Sequence, residues 1–88
     1  MDNSDKKRSR KEIIYDMLQV ILDKKGKIKP THLMYKANLS HNQMKLYLSE
    51  MEENGMVKKL ELVEITDKGR SFFQAYSKMK EFEKTFGL

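Results

Sequence analysis

Apolar and polar positions follow several distinct rhythms along the chain. Ile13, Ile14, Met17, Leu18, Ile21 and Leu22 recur one turn apart, the spacing of a helix with a broad core-facing side. Ser9-Arg10-Lys11-Glu12 precedes them as a capping box, predicting a helix from Ser9 to about Lys24, with Gly26 as its stop. Met44, Tyr47, Leu48 and Met51 repeat the i, i+3, i+4, i+7 stripe of a second amphipathic helix. A second capping box opens it, with Ser40 as the cap and Gln43 reaching back, and Asn54-Gly55 ends it. Between these helices, Lys27-Ile28-Lys29 alternates about one apolar residue and predicts a very short strand. Pro30 suits the first turn of a short helix over Thr31 to Lys36, with Leu33, Met34 and Ala37 facing inward.

The small side chain of Ala37 lets two helices approach closely. Asn38 is a left-handed turn residue, and Leu39 is expected to plug the gap between the helices. Two short helices joined by such a turn form a helix-turn-helix. Met56 to Leu60 and Leu62 to Ile65 then change rhythm. They are rich in β-formers, lack helical periodicity and predict a hairpin, or wing, with its tip near Leu60-Glu61. Thr66 caps a last helix, in which Phe72, Ala75, Met79, Phe82 and Phe86 are spaced 3, 4, 3, 4 as an a/d seam. Tyr76 widens that seam. A rod of this length, about 30 Å for about 20 residues, is longer than a small domain covers. The seam therefore points to self-association; the alternative is that the helix folds back over its own core.

Charge adds direction to this picture. The chain of 88 residues carries +5, but the excess is unevenly placed. Residues 1–23 sum to zero and residues 50–88 to −1, while residues 24–49 carry six lysines and no carboxylate. That lysine block contains the helix-turn-helix, where phosphate would be met. A chain of this length makes one domain with a modest core. It has no cysteine, which excludes disulfides and thiolate metal sites. No apolar run reaches the roughly 18 residues of a membrane span, and no signal-peptide core follows the charged N-terminus. The expected location is the cytoplasm, in association with the nucleoid.

A helix buried on one side and offering donors near its N-terminus suits a DNA groove. In that reading His41 and Asn42 approach base edges, Lys45 meets a guanine or a phosphate, and Ser49 lies one turn further on the same face. Ser40 and the helix N-terminus bind a backbone phosphate, assisted by Thr31, His32 and Lys36. Lys58 and Lys59 on the wing either touch phosphate or guard an exposed strand against edge pairing. His32 and His41 lack the cysteines or carboxylates of a metal or acid–base site, and no glycine-rich phosphate loop is present. No catalytic residue and no cofactor are expected.

Tyr35-Lys36-Ala37-Asn38-Leu39-Ser40 leading into Gln43-Met44-Lys45-Leu46-Tyr47-Leu48 carries a family likeness. So do Glu53-Asn54-Gly55-Met56-Val57 and Ile65-Thr66-Asp67-Lys68-Gly69-Arg70. From Ser9 onward the chain resembles the small archaeal winged helix-turn-helix DNA-binding proteins that dimerise through an antiparallel coiled coil of their last helix. Two departures stand out: the wing is short and has no glycine at its tip, and Leu46 occupies a commonly polar position. Leu46 is either a packing residue or a contact for a thymine methyl.

The resemblance implies a mainly α fold with a small β-wing, binding double-stranded DNA as a homodimer without catalysis. The expected organisation is a flexible basic tail over 1–8, a winged helix over 9–66, and a dimerisation helix over 67–88. The expected dimer residues are Phe72, Ala75, Tyr76, Met79, Phe82 and Phe86. The expected function is that of a transcriptional regulator with the helix over 40–54 in the major groove; a chromatin-type coating protein and a winged-helix protein-interaction module are the alternatives.

Overall fold

Both capping boxes form in the computed structural model, which describes residues 8–88. Ser9 Oγ accepts from the Glu12 amide at 3.1 Å, and the Ser9 amide donates to Glu12 Oε1 at 2.8 Å. These bonds open helix α1, Arg10–Asp23. The same reciprocal pair between Ser40 and Gln43, at 3.1 and 2.9 Å, opens helix α3, His41–Glu53. Pro30 takes the first position of helix α2, Pro30–Lys36. The α2–α3 turn passes through Asn38 at φ 58°, and Leu39 is buried beneath it. Asn tolerates this left-handed conformation better than a branched residue. The α1 stop uses two left-handed residues, Lys25 as well as the expected Gly26.

The short strand β1, Lys27–Ile28, joins the wing strands β2, Val57–Lys59, and β3, Val63–Ile65, in one antiparallel sheet of order β1-β3-β2. Lys27 and Lys58 both lie in register with Glu64, one on each side of it. Met17, Leu18 and Ile21 of α1, Leu33 of α2, Met51 of α3 and Val63 of β3 are the largest fully buried side chains. Three of these come from α1 and one each from α2, α3 and the sheet, so the core locks the helix-turn-helix onto α1.

Helix α4, Asp67–Phe86, is capped by Thr66, whose Oγ accepts from the Gly69 amide at 3.1 Å. Its first half rests on α1. Tyr15 stacks on Phe73 with centroids 4.6 Å apart, and its hydroxyl meets Ser77 Oγ at 3.1 Å. Lys80 Nζ lies 5.0 Å from the Tyr15 ring centroid, a cation–π distance. Beyond that point the apolar side chains leave the body: Phe82 is 56% and Phe86 64% exposed.

The expected tail falls, for residues 1–7, outside the described residues. Its last member, Arg8, is a correction, because it is anchored. The guanidinium donates to Asp16 Oδ2 at 2.8 Å and to the carbonyls of Ala37 and Asn38 at 3.2 and 3.1 Å. A planar fork of donors suits carbonyls left open at the end of α2. Arg8 therefore ties α1 to the helix-turn-helix corner.

Candidate nucleic-acid interface

The roll of α3 is fixed by what it buries. Met44, Leu48 and Met51 are buried and Tyr47 is partly so. With about 100° between successive residues, the opposite pole of the helix is then occupied by Asn42, Leu46 and Ser49. All three are exposed. His41 and Lys45 lie on the flank toward the wing, where they share a surface cavity of about 250 Å³ with Pro30, Met44, Leu48 and Lys59. On the other flank Glu50 is held in an ion pair by Arg10 of α1. Exposed Glu52 and Glu53 follow at the C-terminal end. Their carboxylates would repel phosphate, so the cationic and donor-bearing surface of α3 runs from its start to Ser49.

The two wing lysines separate. Side chains alternate across a strand. Lys59 shares the buried face of Val57 and reaches the α3 cavity, while Lys58 lies on the other face in register with Glu64. Lys27 Nζ stands 4.0 Å from the same Glu64 carboxylate. Lys59 consequently belongs with His41 and Lys45, and Lys58 belongs with an acidic neighbour.

Thr31 and His32 are exposed on the first turn of α2, the element whose Pro30 borders the cavity. Lys36 sits in the last turn of α2, where its charge complements the helix dipole. It lines clefts that also contain Asp23 with Lys24 and the paired Asp16 and Arg8, apart from the His41–Lys45–Lys59 group. Ser40 is engaged as a cap, so its amide already has Gln43 as partner. An incoming anion at this end would use the first-turn amides of His41 and Asn42 and the Ser40 hydroxyl proton.

The seam residues of α4 also divide. Phe72 and Tyr76 are half-buried, their rings 5.8 Å apart. They line an apolar groove with Lys11, Ala75 and Met79. Further on, Phe82 and Phe86 lean on one another at 4.8 Å.

The sequence profile of a winged helix-turn-helix family matches residues 7–84. The chain belongs to this family. A relative from Methanocaldococcus jannaschii, the uncharacterized protein MJ0287, is 33% identical over 76 residues, covering 85% of this chain and 76% of that protein. Two crystal structures share the winged helix-turn-helix architecture. The DNA-binding protein Sso10a-2 of Sulfolobus solfataricus superposes with a TM-score of 0.75 at 20% identity, over 90% of this chain and 85% of its own. A candidate transcriptional regulator of Pseudomonas aeruginosa PA01 superposes with a TM-score of 0.76 at 17% identity over 89% of this chain. This chain spans 58% of the length of that Pseudomonas protein. At these identities the likeness is one of fold.

Within this winged helix, Arg8, Tyr15 and Phe73 escaped the reading of spacing alone. Arg8 acts on residues about 30 positions away, and Tyr15 and Phe73 meet across two helices. No helix among the described residues is long and apolar enough to cross a membrane.

Proposed function

We propose that the protein is a homodimeric, double-stranded-DNA-binding transcriptional regulator with α3 laid in the major groove. The observation that carries this reading is the grouping of His41 and Lys45 with Lys59 beside an outward pole of Asn42, Leu46 and Ser49. Apart from Lys59, this surface stands in the acid-free segment of residues 24–49. An outward-facing helix end rich in donors fits the groove, and the flanking cations fit phosphates on either side of it. The described natures of the Sulfolobus and Pseudomonas proteins agree with that reading. Thr31, His32, Ser40 and Lys36 serve the backbone, with Lys36 at the margin, in clefts apart from the cavity of His41, Lys45 and Lys59. Lys58 serves it least. The reading assigns no catalytic step, and places the protein on DNA in the cytoplasm.

The test is retention of random-sequence duplex as salt is raised. Neutralising four phosphates would give a slope of log affinity against log salt of about −3.6. A flat salt response, or no retained duplex at micromolar protein in low salt, would exclude the reading in favour of a protein-interaction module. Selection from the random pool then separates a regulator, which enriches two half-sites, from a coating protein, which enriches none.

In this reading residues 9–66 form the DNA-binding unit, and residues 67–88 pair two copies. Met79, Phe82 and Phe86 are 43, 56 and 64% exposed along one side of α4, an apolar strip in need of cover. Phe72, Ala75 and Tyr76 extend it as the groove toward the body. Replacing Met79 and Phe82 together by Glu is expected to give a monomer in sedimentation equilibrium with the helical circular dichroism of the body retained. An undiminished dimer would place the subunit contact elsewhere.

A further inference from the structure

We infer that Leu46 reads thymine C5-methyl groups in the major groove, making this protein selective for A·T pairs beneath the second turn of α3. The inference rests on the DNA-binding reading above. An exposed leucine is ordinary in itself. The position of this one is not, because the packing of α3 fixes which side of the helix points outward. Met44, Leu48 and Met51 hold the inner side, the Arg10–Glu50 pair holds one flank, and Lys45 occupies the other beside Lys59. Leu46, 61% exposed, is left at the outward pole, one turn beyond Asn42 and just under one turn before Ser49. It is the apolar residue in a face otherwise made of amide, hydroxyl and ammonium groups.

The major groove has one apolar feature at the base edges, the thymine methyl. Pressing a leucine onto the amino group of cytosine or the carbonyl of guanine would strip a polar group of water without giving it a partner. The same side chain thus attracts thymine and disfavours the other pairs. Asn42 complements it, since its amide matches the acceptor–donor edge of adenine. With Asn42 and Leu46 in one line along the helix, an adenine and a thymine methyl at neighbouring steps satisfy both. Glu52 and Glu53 end the readable face immediately beyond Ser49.

The deciding measurement compares duplexes that differ only in this methyl. Duplexes recovered by the wild-type chain from a random pool are re-amplified with either dTTP or dUTP. Binding of both sets to the wild-type protein and to Leu46→Ala is then titrated at fixed salt. Wild-type protein is expected to bind the thymine set about fourfold more tightly for each methyl covered. Leu46→Ala, with an unchanged circular dichroism spectrum, is expected to bind the two sets equally. Equal binding by the wild type, or a thymine preference that survives in Leu46→Ala, overturns the role of Leu46 while leaving DNA binding intact. Failure of the wild type to recover any duplex from the first pool overturns the DNA-binding reading itself, and this inference with it.

Discussion

Gly69→Ala is expected to be the most destabilising single-methyl change in this protein, lowering the thermal midpoint by roughly 12–24 °C. Gly69 is buried in the first turn of α4, and a Cβ there would stand 2.3 Å from the Met56 carbonyl oxygen and 2.9 Å from Ile65 Cγ1. The nearest obstacle is backbone, so no rotamer change can relieve it. Met56 is also fixed from the other side, because its carbonyl accepts from the Thr66 amide at 3.0 Å. Thr66 in turn donates its hydroxyl to the Gly55 carbonyl at 2.6 Å and caps α4. A methyl group must therefore push α4 away from the α3–β2 loop, weakening the cap and the Tyr15–Phe73 stack together. Overpacking against an unyielding neighbour costs about 3 kcal/mol, a large fraction of the ~5–15 kcal/mol that stabilises a small domain. Gly55→Ala is the useful comparison. Its φ of +74° strains any side chain, but the added Cβ meets only the Lys68 side chain at 3.7 Å. Its cost is that of the left-handed backbone alone, about 1–2 kcal/mol. Melting followed by circular dichroism ranks the two, and a Gly69→Ala midpoint within a few degrees of wild type would refute the close approach.

How much of this was readable in the residues depends on the range over which each interaction acts. Ser9 with Glu12, Ser40 with Gln43, and Thr66 with Gly69 act across three residues, and each cap forms where the local pattern places it. Asn38 and Leu39 are equally local, and the helix-turn-helix follows from them. The family likeness points the same way and is upheld by the profile match over residues 7–84. Longer-range pairings were not legible. Nothing in Lys27-Ile28 announces that it pairs with β3, and the expectation of a two-stranded wing became a three-stranded sheet. Lys58 and Lys59 are chemically identical neighbours, and only the register of β2 against β3 sends one to Glu64 and the other to α3. The spacing of the α4 seam was likewise silent about Phe73, which follows Phe72 by one residue and turns toward Tyr15. The inward stripe of α3 was legible in Met44, Tyr47, Leu48 and Met51, but what lies on each flank had to come from packing, and it changes the emphasis within the candidate site. Lys36 moves to the margin, and Lys59 joins Lys45.

That regrouping makes Lys45→Glu with Lys59→Glu the charge change expected to harm duplex binding most. The pair takes the net charge from +5 to +1, and so does Lys68→Glu with Lys84→Glu on α4. If the protein met DNA only through its overall field, the two double variants would lose affinity alike. Local contact predicts otherwise. Lys45 and Lys59 border one cavity with His41 at the donor-rich end of α3, where two strands of phosphate would flank the helix. Reversing both removes two phosphate contacts and sets carboxylates in their place, which should weaken binding by about 100-fold or more near 0.1 M salt. The salt slope should become shallower by about 1.8. Lys68 and Lys84 stand at the two ends of α4, and their reversal should leave the slope unchanged with an affinity loss of only a few fold. Lys36→Glu falls between, since Lys36 lies in clefts apart from the cavity that Lys45 and Lys59 share. The substituted lysines are all exposed, so the fold should persist and the midpoint of melting serves as the control. Equal losses for the two double variants would mean that α3 and the wing do not form the contact surface. An undiminished slope in Lys45→Glu, Lys59→Glu would mean the same, and the search for the binding face would then move to the opposite side of the molecule.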